Sequence, residues 1–437
     1  MRTSEGDKHV LTVNNLTGRT LVLNRPQALN SLTLPMVQTI ERHLKNWENS
    51  ELCNVVMLRS NSPKAFCAGG DVVQVSREWK NGNKAEAMKF FQKEYMVNHY
   101  IASYKKPVVA MLNGYTMGGG VGLSMHAAFR VASQSTVFAM PETKIGFFPD
   151  VGATFFLPRL DGHMGVYLGL TGRMLKGRDL LYSGIATHYV PSERHGMLEQ
   201  RLQGLGSSDY DVVNDAIEEF VAQPEDGPME YSLYHVRGAI DRCFQHNSLE
   251  SIIRALEEEK QTSNEHIAAW AQATLDQLSQ MSPSSLKLTL EQLRRGAQLN
   301  IQQAFALELG LAEKRLESHD MHEGIEALLV RKSNDPQWDP KSLEEVNMQE
   351  MYPDYFTATY TYKPEFVHEE VAFSEYPHKY GLPSEKEIAA LISGENPQAG
   401  NFRLTRADVL QFYEREYGGK VGVKQKVGWV FDNLENN

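Results

Sequence analysis

The residues best suited to chemistry lie in three short stretches, two rich in glycine and one carrying acids. In KPVVAMLNGYTMGGGVGL an apolar run ends at Gly114, and Gly118, Gly119 and Gly120 then open a helix. Backbone N–H groups at such a start have no acceptor within the helix and are free to hold a negatively charged oxygen. A second turn, AFCAGGD at 65–71, follows the apolar run Val55 to Leu58 and offers another donor. Two donors from two loops make the outline of an oxyanion hole. Taken singly, each glycine turn serves equally well for close helix packing, and Asp71 reads as the N-cap of the next helix. The third stretch, MPETKIGFFPD at 140–150, sets Glu142 and Asp150 among mostly apolar neighbours. Burial there raises a carboxyl pKa or strips a carboxylate of water, which suits a base or a nucleophile.

These residues need a rigid frame, and the sequence supplies one. Apolar, β-branched runs at Thr20 to Leu23, Val55 to Leu58, Val108 to Leu112 and Phe129 to Ala132 predict buried strands. Between them Leu34, Val37, Ile40, Leu44 and Trp47 recur at helical spacing. Alternation of this kind predicts an α/β (α+β) core over 1–210 that carries the site. From about Arg173 the strand signal fades, and a region at 211–348 reads as helical. Ser282 caps a helix there, and Pro283 suits its first turn. An extension at 349–437 begins with irregularly placed tyrosines, phenylalanines and prolines and then shows two helices, each signalled by a capping box, Ser384 with Glu387 and Thr405 with Asp408. That extension reads as folded and as suited to protein docking.

Composition narrows the function classes. The chain has 437 residues and a formal charge of −11, which disfavours gripping nucleic acid or an anionic membrane. No run approaches the ~20 apolar residues that span a bilayer, and the opening MRTSEGDK lacks a secretory signal and a readable transit peptide. The three cysteines, Cys53, Cys67 and Cys243, are too far apart for a disulfide framework or a zinc set. Cys67, although beside a glycine turn, reads as buried filler. No metal motif appears, and Gly172 to Gly177 misses the spacing of a phosphate loop.

The motifs AFCAGGD, MGGGVGLSMHAAFRVAS and FAMPETKIGFFPDVGATFFLPRL, joined by MSPSSLKLTLEQL and HDMHEGIEALLVRKSNDPQWDP, resemble those of the crotonase superfamily, and within it the branch that hydrolyses 3-hydroxyisobutyryl-CoA. The resemblance covers roughly residues 8 to 345. It implies a spiral of ββα turns with two sheets, a helical region behind it, and a location in the mitochondrial matrix. It places the thioester oxygen between the N–H groups of Gly70 and Gly119, catalytic carboxylates at Glu142 and Asp150, and a substrate-contacting one at Glu94. Hydratases of the superfamily carry a second glutamate where this chain has Gly122, so hydration is disfavoured. The implied reaction is thioester hydrolysis, with Glu142 as nucleophile or as general base, as in valine breakdown. CoA belongs to the substrate and no separate cofactor is implied; it is expected along Arg25, Ala28 and Leu29 with Lys64 near a phosphate, though both cations read equally as surface charges. A homo-oligomer fits the resemblance. Relatives of this branch also serve as proteins of the mitochondrial ribosome's small subunit, and the extension at 349–437 is the surface that would dock there.

Overall fold

The computed structural model describes residues 5–222, 229–399 and 404–435. Among these, ten strands build two sheets: β1 (Val10–Asn15), β2 (Gly18–Leu23), β3 (Val55–Ser60), β4 (Ala65–Cys67), β5 (Val108–Leu112), β6 (Tyr115–Met117), β7 (Phe129–Ala132), β8 (Val137–Ala139), β9 (Leu175–Lys176) and β10 (His188–Tyr189). The larger sheet runs β1-β2-β3-β5-β7-β10, the smaller β4-β6-β8-β9. Each turn of the chain gives one strand to each sheet, β3 then β4, β5 then β6, β7 then β8, with a helix before the next pair. This is the expected ββα spiral. The four runs singled out above are β2, β3, β5 and β7.

Those runs lack polar alternation because both faces of the large sheet are covered. Val56, Leu58, Ala110, Leu112 and Ala132 enter the main core with Met36, Ile40 and Leu44 of the helix Leu34–Glu48. Val55, Met57, Val109, Met111, Phe129 and Val131 face the other way, against Leu198, Leu202, Val213 and Ile217. The helical region adds, among others, Pro283–Gly296 and Ile301–Glu317. Ser282 caps the first of these as expected, its side chain accepting from Ser285 N.

After the short helix Met348–Tyr352 at its start, the described part of the extension holds three longer helices, one more than its capping boxes announce: Glu385–Ser393, Arg406–Glu416 and Val423–Glu435. The third follows Gly418, Gly419 and Gly422, all at positive φ, and has no Ser, Thr or Asp cap to mark it. It is fixed by packing instead, since Val423, Val427, Val430 and Phe431 close a small core with Ile388, Leu391, Val409 and Tyr413. Ahead of these helices the chain runs as a strap over the main body. His368 bonds Ser103 O (3.0 Å) and Glu48 (3.2 Å), Arg159 donates to Ser374 O (3.0 Å), and the buried Arg237 forks onto Glu385 (3.0 Å). Buried polar groups of this kind demand their partners, so the strap is part of the fold.

Candidate active site

Strands β4, β6 and β8 are neighbours and parallel, so the turns that leave them emerge at one edge of the small sheet. Those turns are the three stretches picked out from sequence. After β4, Leu32 N donates to Gly69 O (2.8 Å) and Asp71 N to Leu32 O (2.8 Å), leaving the Gly70 N–H between them. After β6, Gly118 turns at φ 45° and ψ −117°, a conformation open only to glycine, and Gly119 begins the helix Gly119–Met125 with its N–H unclaimed by that helix. A Cβ on Gly119 would run into the Glu94 carboxylate and would lie 3.3 Å from Gly69 C, so the two glycine turns are in contact. After β8 come Glu142 and, eight positions on, Asp150.

The helix Lys84–Ala102 crosses this edge and contributes Glu94 and Tyr95. Together they enclose a cavity of about 140 Å³ lined by Gly70, Gly119, Glu94, Glu142 and Asp150, with Phe90, Phe91, Ile145 and Phe147 as apolar wall. A roomier hollow of about 270 Å³ lies under the strap, but the acids that line it stand among cations, Asp161 paired with Lys426 and Glu375 with Arg159, whereas the smaller cavity gathers three acids with no Lys or Arg in its lining.

Glu94, Glu142 and Asp150 are buried at 2%, 6% and 5% exposure. Glu94 Oε1 and Glu142 Oε2 have no hydrogen-bond partner among the described residues, whereas Asp150 Oδ2 accepts from Tyr95 OH (2.7 Å). Burial pushes all three carboxyls up. For Glu94 the negative neighbours Asp150 and Glu142 add to it, for Glu142 Asp150 does, and Asp150 itself reaches about 7 despite the tyrosine hydrogen bond. Three buried acids around one hollow each oppose the others' ionisation. The site therefore keeps protons and acceptors side by side, as proton transfer at a carbonyl requires.

Gly122 sits one helical turn past the hole. A Cβ there would lie 2.7 Å from both Asn98 Oδ1 and Val151 Cβ, so no side chain fits at this position. Asn98 is fully buried in that space.

The structure separates the CoA expectations from the acids. Arg25 is tied to Asp71 (2.9 Å) and to Ser31 (3.0 Å), bracing the turn that holds Leu32; Ala28 ends a short 3₁₀ turn, and Lys64 is exposed ahead of β4. None of the three lines the acid cavity. Cys67 is buried with its thiol pushed up to about 12, so it supplies no thiolate.

Sequence reading passes over four residues that hold the acid loop. Tyr95 fixes Asp150; Gln292 donates to Pro149 O (2.6 Å); His126 bonds Val151 O (2.7 Å); and Glu308 accepts from Gly152 N (2.7 Å) and Thr154 N (2.8 Å). Glu308 is fully buried and its carboxyl is pushed up to about 8, by burial and then by the charge of Asp150.

Residues 18–356 match the family model of enoyl-CoA hydratase/isomerase. A Neurospora crassa protein named small ribosomal subunit protein mS47 is 42% identical over 95% of this chain and 83% of its own length. A Danio rerio protein named 3-hydroxyisobutyryl-CoA hydrolase, mitochondrial, is 42% identical over 75% of this chain and 84% of its own. Among solved structures, a carnitinyl-CoA dehydratase from Mycobacterium thermoresistibile superposes with a TM-score of 0.74 at 35% identity, covering 83% of this chain and all of the other.

Proposed function

Because this chain belongs to the enoyl-CoA hydratase/isomerase family, we propose that it is a mitochondrial thioester hydrolase acting on 3-hydroxyisobutyryl-CoA or a close β-hydroxyacyl-CoA. The observation that carries the reading is the company of Glu142: a buried carboxylate with a free oxygen, beside two glycine N–H groups, with no room at Gly122 for the second acid that hydration uses. Relatives at 40–42% identity bear the hydrolase name, which supports the same substrate class.

The thioester oxygen sits between the N–H groups of Gly70 and Gly119, each worth about 3 kcal/mol as the carbon becomes tetrahedral. Glu142 delivers the attack, its ionised oxygen either bonding the carbonyl carbon or taking a proton from a water that does so. On the water route the C–S bond breaks as the tetrahedral centre collapses to the free acid, and the proton that Glu142 took from water goes to the departing CoA sulfur. On the covalent route collapse leaves a Glu142 anhydride and a CoA thiolate; water then splits the anhydride, freeing the acid and restoring the Glu142 carboxylate while a proton of that water goes to the thiolate. Asp150, steadied by Tyr95, and Glu94 orient the water and the 3-hydroxyl of the acyl group. Release of free thiol from 3-hydroxyisobutyryl-CoA by the purified chain tests the reading. Glu142→Gln is expected to lower that rate by about 10²–10⁴ while leaving binding of a CoA thioester intact; a folded wild type that binds the thioester and releases no thiol overturns the proposal.

A second reading has its own observation. The match to the Neurospora ribosomal protein covers 95% of this chain, so it runs through most of the extension, whereas the Danio hydrolase match covers 75%. We infer that the folded extension suits a role as a protein of the mitochondrial small ribosomal subunit, with the hydrolase site retained. Co-sedimentation of the chain with small-subunit particles is the expected result, and a chain found wholly free of them in lysate refutes it.

A further inference from the structure

The strap touches the acid site's supports at two places. His99, on the same helix as Glu94 and Tyr95, bonds Val371 O (2.9 Å) while Phe366 lies against its ring at 4.4 Å between centroids. Tyr376 OH lies 2.8 Å from His126 Nδ1, and His126 Nε2 lies 2.7 Å from Val151 O. A carbonyl oxygen only accepts, so Nε2 carries the hydrogen and Nδ1 offers its lone pair to the Tyr376 hydroxyl. The chain of donors then runs one way, from Tyr376 through His126 to the backbone of the residue after Asp150. His126 is buried, and burial pushes its pKa down to about 4, so the ring stays neutral and the tautomer holds.

Val151 is the residue that needs holding. It has φ 55°, the left-handed region, where a β-branched side chain is strained by roughly 1–3 kcal/mol unless its surroundings enforce the shape. Gly152, at φ 91°, packs so closely on His126 that a Cβ there would collide with the ring. The direction of the Asp150 carboxylate on one side of Val151, and of the Gly152 N–H on the other, both follow from this turn.

We propose that Tyr376, a residue of the extension, is a positioning residue of the hydrolase site, acting through His126 to set the Val151 turn and so the placement of Asp150. Its kinetic consequence rests on the hydrolase reading above; its structural consequence does not. The extension is thereby coupled to catalysis, and a partner that draws the strap away from His126 would slow hydrolysis without touching the cavity.

The test uses the full chain with Tyr376→Phe, which removes one hydroxyl, and Tyr380→Phe as control, since Tyr380 OH donates to Asp211 (2.8 Å), away from the acid loop. Tyr376→Phe is expected to lower kcat roughly tenfold, as loss of one buried hydrogen bond allows, with KM within about twofold. Hydrogen exchange at the Gly152 and Thr154 amides is expected to quicken in Tyr376→Phe and to stay at the wild-type rate in Tyr380→Phe. In a His126→Gln background, where the relay is already cut, Tyr376→Phe is expected to have no further effect on kcat or on exchange. A strap that merely adds stability would give the same loss in both backgrounds, and that result overturns the proposal. So does a Tyr376→Phe protein that matches Tyr380→Phe in exchange. Should the wild type lack hydrolase activity, the function assignment fails and the exchange measurement alone decides the positioning role. If Tyr376→Phe does not fold, the comparison of His126→Gln with wild type takes its place, an unchanged exchange rate at Gly152 refuting the relay.

Discussion

Glu308 offers the sharpest quantitative test of how the acid loop is held. In Glu308→Gln the side chain keeps its size and one acceptor, so one of the two N–H groups, Gly152 or Thr154, loses its partner and faces an amide NH₂. An orphaned buried donor costs about 1–3 kcal/mol. In Glu308→Ala both donors are orphaned and a cavity opens, about 2–6 kcal/mol plus a further 2–5 for the lost volume. Against a total stability of about 5–15 kcal/mol, the alanine variant stands at the edge of folding and the glutamine variant well inside it. Charge adds a pH dependence of definite sign. The carboxyl titrates near 8 in the fold and near 4.3 in the unfolded chain. Between those values the native state keeps a proton that the unfolded state releases, so this group's contribution to stability is present at low pH and is lost as pH rises toward 8. The loss between pH 5 and pH 8 is on the order of 3–4 kcal/mol, and glutamine, which does not ionise, escapes it. Guanidinium unfolding of wild type and Glu308→Gln across that range is therefore expected to show the variant weaker at pH 5 and equal to or above wild type at pH 8. Thiol release by the same samples is expected to fall, since an acid displaced by ~1 Å costs about 10²-fold. A stability difference that stays constant from pH 5 to pH 8 would show Glu308 ionised throughout and refute the reasoning.

Two further outcomes follow from the cavity itself. Hydrolysis needs an ionised Glu142, and burial with Asp150 nearby holds that group well above the usual carboxylate range; kcat/KM is expected to rise with pH through an acid limb displaced upward, and Asp150→Asn, by removing the negative neighbour, is expected to move that limb to lower pH even as it lowers the maximum. A limb that stays put in the variant would contradict the electrostatic account. Gly122→Glu, which restores the acid of the hydratases, meets Asn98 Oδ1 and Val151 Cβ at 2.7 Å from its Cβ; the expected result is a destabilised protein that hydrates no enoyl-CoA, and a stable variant with hydratase activity would undo the claim that the position is closed.

The parts of this site that could be read in the sequence are those whose cause is local. Gly118 must be glycine for its own backbone angles, the strand runs are apolar because each strand is covered on both sides, and Ser384 and Thr405 cap helices three residues ahead of their partners. Strands β4, β6 and β8 are three residues each, too short for a periodic signal, although the turns bearing Gly70, Gly119 and Glu142 leave from them. The extension's last helix was hidden by the absence of a cap. Arg25 suits a phosphate as a residue type, and its bond to Asp71, 46 positions on, is one that its own neighbourhood in the sequence does not announce.

What remained illegible is the layer behind the acids, because each of its bonds joins distant parts of the chain: Glu308 to Gly152 across 156 positions, Tyr376 to His126 across 250. Even so, one of them left a trace. Glu308 lies on the buried stripe of its helix, among Phe305, Leu309 and Ala312, all of them fully buried. A carboxyl on the apolar face of an amphipathic helix is too costly to leave unpartnered, so its presence there announces a donor somewhere in the core. The sequence does not say where. That the donors turn out to be the amides just past Asp150 explains why the acid is tolerated: it holds in place a turn in which Val151 is strained, and the strain and the buried acid answer each other at the edge of the cavity.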